Sequence, residues 1–190
     1  MFTTKKNFIV FDFDGVIVES NEIKYREFFN IFKKNINDIT IKEIILSGKD
    51  RNDIICSIYN KIYQPDGGSL NINVFIKKYS ENVHSEILRI GMNKSIIDFF
   101  NKNSKDLFIN SATPQKELQL LCEDLCVSNF FLEILGGPNT KEENFKYIFG
   151  KYNIKPNQVV FFGDMNSDEH ASKIMGVEFS PIFSKGSDLL

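Results

Sequence analysis

The sequence predicts an α/β fold, a doubly wound parallel sheet that carries an inserted α-helical cap. Three observations predict it. Short, nearly continuous apolar runs recur at residues 7–13, 107–109, 131–135 and 159–162, the pattern of strands buried on both faces of a parallel sheet. Between them lie stretches of helical periodicity at 96–101, 115–126, 141–152 and 168–175. Strands that alternate with helices of this length form crossover units. From about residue 19 to residue 90 the alternation stops, and only helical patterns remain.

Taken in order, the first strand ends in Asp12-Phe13-Asp14-Gly15. Helical patterns follow at 22–33, 39–46, 52–63 and 74–90, with Pro65-Asp66-Gly67-Gly68-Ser69 as a loop among them. The simplest organisation is a core of residues 1–18 and 92–190, interrupted by a helical cap of residues 19–91. A fifth, weaker strand is expected at 177–179. No internal repeat or low-complexity tail is present.

The chain's 190 residues, 42% of them hydrophobic, suffice for a buried core without disulfide staples. A formal net charge of -2 gives bulk electrostatics no reason to attract nucleic acid or an anionic membrane. Cys56, Cys122 and Cys126 are an odd set with no nearby histidine partners, so buried reduced thiols are expected. The N-terminus shows no signal-peptide pattern, and no stretch approaches the ~20 apolar residues of a membrane span. These features suit a soluble, cytoplasmic protein with a small-molecule substrate. They say nothing of oligomeric state.

The chemistry gathers at the strand ends, where open α/β sheets collect ligands. The first strand ends in Asp12-x-Asp14, the second in Asn110-Ser111-Ala112-Thr113, and the fourth in Gly163-Asp164-Met165-Asn166-Ser167-Asp168. Two residues apart on extended backbone, Asp12 and Asp14 project to one side. Clustered carboxylates repel unless a hard cation sits among them, and oxygen-only ligation suits Mg²⁺. Such a cation also shields an anionic nucleophile from an anionic phosphate. One carboxylate could then attack phosphorus while the second handles protons. Taken alone, the same aspartates would equally well be turn residues before Gly15.

The segment Phe11-Asp12-Phe13-Asp14-Gly15-Val16 resembles the first motif of the haloacid dehalogenase-like hydrolases. Ser111 resembles their second motif and Gly163–Asp168 their fourth, in matching order along almost the whole chain. The resemblance points to the subfamily with a helical cap after the first motif, the phosphoglycolate phosphatase and beta-phosphoglucomutase-like branch, on a Rossmann-like core. It implies Asp12 as nucleophile, Asp14 as general acid/base and Ser111 as a phosphoryl-binding hydroxyl, with Gly15 and Ala112 beside them. It implies an Mg²⁺ site formed by Asp12, Asp164 and the main-chain carbonyl of Asp14, supported or directly ligated by Asp168. Lys141 is the best match for the lysine that neutralises phosphate and nucleophile, although Glu142 stands where proline often follows. Lys116 and Lys146 are weaker candidates.

In the cap, Ser47-Gly48-Lys49-Asp50-Arg51 resembles a substrate-specificity loop. Arg51 or Lys49, next to Gly48, could meet a phosphate or carboxylate of the substrate. Lys24 lies close enough to the first motif to reach the cleft. The bland alternative for each is a solvated position on a helix or turn. His84 and His170 are expected to pack or to face solvent. Ser111 or Thr113 could also cap the following helix. The resemblance implies a magnesium-dependent phosphatase acting on a small monoester: a sugar phosphate, phosphoglycolate or a nucleotide. A sugar phosphomutase, a phosphonate hydrolase with a cap lysine, and a non-catalytic binding module on the same fold are the competing readings. Asp14 argues against a dehalogenase.

Overall fold

The computed structural model describes residues 4–32, 37–47, 50–63, 71–102 and 104–183. The apolar first run forms β1 (Phe8–Phe11). Four helices follow it: α1 (Asn21–Phe32), α2 (Asp38–Ile45), α3 (Arg51–Tyr63) and α4 (Ile72–Ile90). The chain then alternates through α5 (Lys94–Phe100), β2 (Asp106–Pro114), α6 (Gln115–Asp124), β3 (Glu133–Gly137) and α7 (Lys141–Tyr152). It ends with β4 (Val159–Gly163), α8 (Asn166–Met175) and β5 (Glu178–Pro181).

All five strands are parallel, in the order β3-β2-β1-β4-β5. The chain winds outward from β1 to β3, then restarts on the other side of β1 with β4. This reversal opens a crevice at the carboxyl end of β1, between crossovers that leave in opposite directions. Side chains alternate across the sheet because strand residues point to opposite faces in turn. Ile9, Phe11, Ile109 and Phe162 join one apolar cluster with Ile96 and Leu118. Val10, Phe108 and Phe161 join another with Phe145 and Ile148 of α7. Each such fully buried side chain contributes about 1.5–3 kcal/mol relative to exposure.

The first cluster continues without a break into the four inserted helices, through Phe28, Ile55, Tyr79 and Ile87. Their aromatic residues hold the bundle together, with Phe28 on Tyr79 at 4.7 Å and Phe32 stacked on Phe75 at 5.0 Å between ring centroids. Asn37 and Asn71 cap α2 and α4, accepting hydrogen bonds from the Ile39 and Asn73 amides. Helix α4 also packs against α6, so the insertion leans over the end of β2.

Some boundaries differ from the sequence reading. Strand β2 runs on to Pro114, so Ser111, Ala112 and Thr113 lie within it rather than beyond it. Strand β3 begins at Glu133 and includes Gly136 and Gly137, because its backbone pairs with β2 again at Pro114 after a register shift between Asn110 and Pro114. Ladder pairing uses the backbone alone, so polar or glycine residues do not end a strand whose partner continues. The thiols are also not uniformly buried: Cys122 is buried, Cys56 partly so, and Cys126 exposed. Burial pushes the Cys122 thiol up to about 12, which keeps it protonated and inert. No helix among the described residues is long and apolar enough to cross a membrane. The loop at 65–69 and the residues Gly48 and Lys49 lie outside the described residues.

Candidate active site

At the end of β1 the Asp12 amide donates to the carbonyl of Phe162 at 2.8 Å, which ties the first motif to β4. One oxygen of Asp12 accepts from the amide of Phe13 at 2.8 Å. The chain then turns sharply at Gly15, whose φ of +74° strains any residue with a Cβ. A Cβ there would also lie 2.0 Å from Asp164 Oδ2, so glycine is what lets β1 and β4 deliver their aspartates to one place.

Carboxylate oxygens of Asp12, Asp164 and Asp168 all lie within 4.8 Å of one another. Lys141 enters from the start of α7, with Nζ 3.1 Å from Asp12 Oδ2 and in an ion pair with Asp168 Oδ1. Its side chain is only 11% exposed, whereas Lys116 and Lys146 are exposed. A capping box between Thr140 and Glu143 starts α7, which fixes where Lys141 stands. Asn110 adds a second brace, donating to the Lys141 carbonyl at 2.9 Å and accepting from Asn144 at 3.0 Å.

Asp168 works in two directions. One oxygen holds Lys141, while the other accepts from the amides of Asp164 at 3.2 Å and Met165 at 3.0 Å. It therefore shapes the loop that presents Asp164. Asn21, from the first turn of α1, donates to Asp164 Oδ2 at 2.6 Å. Burial raises the Asp12 carboxyl, and Asp168, Asp14 and Asp164 add to the effect; Lys141 opposes it, leaving a value of about 7. Burial pulls Lys141 down, but Asp12 and Asp168 outweigh it and raise its pKa above the ordinary lysine range. Three carboxylates against one ammonium form an all-oxygen donor set with excess negative charge. That set fits a hard divalent cation such as Mg²⁺.

Asp14 belongs to a different group. Its side chain accepts from Ser20 Oγ at 2.5 Å and Thr113 Oγ1 at 2.7 Å, and pairs with Lys24 Nζ at 2.5 Å. Burial alone would raise the Asp14 carboxyl, but Lys24 and the two hydroxyls hold it below the usual range. The resemblance asks only a main-chain carbonyl of Asp14 as metal ligand, so this side-chain orientation does not conflict with it. Ser111 is buried in β2, its hydroxyl accepting from the Thr113 amide at 3.2 Å, and Ala112 lies at the surface of the cleft. Neither Ser111 nor Thr113 caps α6, whose N-cap Pro114 has no side-chain bond.

A cavity of about 710 Å³ opens beside Asp14 and Thr113 and is roofed by α1, α3 and α4. Lys24 and Arg51 both line it. Arg51 is not a solvated turn residue: its guanidinium forms a two-pronged bond to Glu117 of α6, at 2.6 and 3.0 Å. Glu117, Ser20 and Asn21 are site partners to which sequence reasoning gave no role, and Thr113, expected only as a strand-end polar group or a helix cap, instead donates to Asp14. Ser20 and Asn21 carried only a faint signal, as polar residues within three positions of the apolar run Val16-Ile17-Val18. Glu117 carried none, because its partner lies 66 positions away. His84 pairs with Asp124 at 2.8 Å and His170 is exposed, so both stand apart from the carboxylates.

A family model described as haloacid dehalogenase-like hydrolase matches residues 9–182. The chain belongs to that family of hydrolases. Its fold is shared with solved structures of low sequence identity. A haloacid dehalogenase-like hydrolase from Streptococcus pneumoniae superimposes with a TM-score of 0.69 at 19% identity, covering 98% of this chain and 90% of that one. A protein from Haemophilus somnus, described as a predicted phosphoglycolate phosphatase, gives 0.72 at 19% identity, covering 94% and 86%. CbbY from Rhodobacter sphaeroides, solved in complex with xylulose-(1,5)bisphosphate, gives 0.72 at 18% identity, covering 95% and 88%. No curated protein sequence matches the chain significantly.

Proposed function

We propose that this hydrolase is a magnesium-dependent phosphatase that cleaves a small phosphate monoester through an aspartyl-phosphate on Asp12. The observation that carries the reading is the carboxylate–lysine cluster at the switch point of the sheet. A buried Asp12 faces Lys141 at 3.1 Å, with Asp164 and Asp168 beside it. Haloacid dehalogenases need only one aspartate in the first motif, whereas this chain holds a second, Asp14, in a dedicated nest of donors. The four inserted helices over the cleft serve as the cap, residues 19–91 on a core of 1–18 and 92–190.

In this reading Asp12 attacks phosphorus in line with the ester oxygen, and the P–O bond to the leaving alcohol breaks. Asp14, held ionised by Lys24 before substrate enters, must let go of Lys24 and take up a proton from water before it can give that proton to the leaving oxygen. Asp14, now ionised, takes a proton from water, which attacks the aspartyl-phosphate and frees Asp12 and inorganic phosphate. Lys141 balances the charge of nucleophile and phosphoryl group. The Ser111 hydroxyl and the backbone around Gly15 and Ala112 hold the phosphoryl oxygens. Asp12 and Asp164, with the Asp14 carbonyl and Asp168 behind them, would hold Mg²⁺, which supplies charge neutralisation between the two anions. Closure of the cap keeps bulk water away.

The test is phosphate release from small monoesters with Mg²⁺, with EDTA, and with Asp12→Asn. Turnover that needs the metal and vanishes in the variant is the expected result. Metal-dependent turnover that survives Asp12→Asn overturns the covalent mechanism, and silence with every ester overturns the phosphatase assignment.

A further inference from the structure

The cavity beside Asp14 is where the alcohol part of a phosphate monoester would sit, so its charge decides which alcohols fit. Among the described residues, its two strong cations are both paired. Lys24 is bound to Asp14 and Thr113. The end-on edge of Arg51 is filled, with Nη1 and Nη2 donating to the two oxygens of Glu117, while Nε makes only a long contact to Asn52 Oδ1 at 3.4 Å. Further contacts hold the pair in place. Ser80 Oγ donates to Glu117 Oε1 at 3.0 Å, and the guanidinium carbon lies 5.5 Å from the centroid of the Tyr79 ring.

An incoming carboxylate or second phosphate would have to displace Glu117 from Arg51 or share the guanidinium with it, and in either case would face a cation already neutralised. A bidentate carboxylate–guanidinium pair is the strongest arrangement open to either group. The displaced Glu117 would stay in the same half-buried wall, facing the new anion. Burial pushes Glu117 up, but the hydrogen bonds and charge of Arg51 and the Ser80 hydroxyl outweigh it and hold it below the usual glutamate range, so it remains ionised at neutral pH. The rest of the described wall is mostly apolar or neutral, with Phe28, Ile54, Tyr79 and Val83 beside Ser80 and Asn139; its remaining ionisable groups are Asp50, whose Oδ1 accepts from the Asp53 amide at 2.9 Å, and His84, which pairs with Asp124.

We infer that Glu117 is a specificity-determining residue: by occupying Arg51 it fits the cavity to phosphate monoesters with an uncharged alcohol and rejects those bearing a second anionic group. This rests on the phosphatase reading above and narrows it. Rejection here comes from an unpaired like charge placed against the wrong ligand, the most economical way to discriminate between similar substrates. It also reverses the expectation that Arg51 reads a substrate phosphate or carboxylate.

The experiment compares kcat/KM, with Mg²⁺, for 4-nitrophenyl phosphate and a hexose monophosphate against a hexose bisphosphate and phosphoglycolate. The wild type, Glu117→Gln and Arg51→Gln are each measured. The wild type is expected to favour the uncharged alcohols by about tenfold or more, a size typical of one opposed charge pair. Glu117→Gln should shrink that preference by about the same factor, chiefly through a lower KM for the doubly anionic esters. Arg51→Gln, which leaves Glu117 unopposed, should widen it. A wild type that prefers the bisphosphate or phosphoglycolate overturns the inference, as does a Glu117→Gln variant that keeps the wild-type ratio or an Arg51→Gln variant that narrows it. The wild-type ratio and the Arg51 variant keep the test decisive even if Glu117→Gln fails to fold. Silence on all four esters strikes the phosphatase reading instead, a result distinct from turnover with the wrong preference.

Discussion

The floor and the roof of the cleft are built on opposite electrostatic plans. On the floor, Asp12, Asp164 and Asp168 crowd together with Lys141 as their counter-charge, and Asp12 is pushed toward neutrality. In the roof, Lys24 meets Asp14 and Arg51 meets Glu117, one cation to one anion, and both carboxylates are held ionised. The floor is incomplete without further positive charge, whereas the roof is balanced within the chain. That contrast fits the proposed division of labour, in which the floor takes up a cation and an anionic ester while the ion pairs above it set the protonation of Asp14 and sort what enters.

The largest expected effect breaks the floor at its centre. Asp12→Asn removes the proposed nucleophile and should cut phosphate release by roughly 10⁴-fold or more. Activity within tenfold of wild type would mean that the crowding at β1 serves binding alone. Asp168→Ala should act on stability as well as activity. It strips Lys141 of one partner and leaves the amides of Asp164 and Met165 without their acceptor. Breaking a buried pair from one side costs about 3–5 kcal/mol, readable as a lower urea midpoint in EDTA. Metal affinity should fall about 10–100-fold as the Asp164 loop loosens. An unchanged midpoint would show that Lys141 is held by Asp12 alone.

How far each plan was legible in the sequence follows from its contacts. The floor depends on strand ends, and a strand end is visible as an apolar run that stops in Asp12 or Asp164. The all-parallel sheet was legible for the same reason. Lys141 was legible by its place at a helix start, although its burial was not. The roof depends on side chains that meet across long separations, such as Arg51 with Glu117 and Lys24 with Thr113, and periodicity carries no trace of those meetings. Gly15 was read as part of a motif, but the reason for it, Asp164 lying where its Cβ would be, belongs to the folded chain alone.

Lys24→Met tests whether the roof takes part in the chemistry. Paired with Lys24, Asp14 is ionised, the form that draws a proton from water in the second half of the proposed cycle. The variant should therefore slow breakdown of the aspartyl-phosphate more than its formation. Steady-state turnover should drop by about tenfold, a fraction of what a positioned general base contributes, and acid quenching should trap more phosphoenzyme than in wild type. A uniform loss with no accumulation would assign Lys24 to substrate binding.

The smallest effect sharpens the contrast most finely, because it asks whether the Arg51–Glu117 pair is ionic in the folded protein. The pair is partly exposed, with side chains 20% and 34% accessible, so solvent screening limits it to about 1 kcal/mol at most. The Glu117 pKa is lowered on folding from its ordinary 4.5, so near that pH the unfolded chain binds more protons than the folded one. The pair's stabilisation is thus fully present above about pH 4.5 and is lost as pH falls through the lower folded value. Urea unfolding of wild type and Glu117→Gln should differ most at pH 7 and converge as the solution is made more acidic than pH 4.5. A difference that stays constant with pH would mean that Glu117 holds α6 against α3 and α4 by packing and neutral hydrogen bonds. The charge argument for substrate selection would then lose its basis, while the floor would stand untouched.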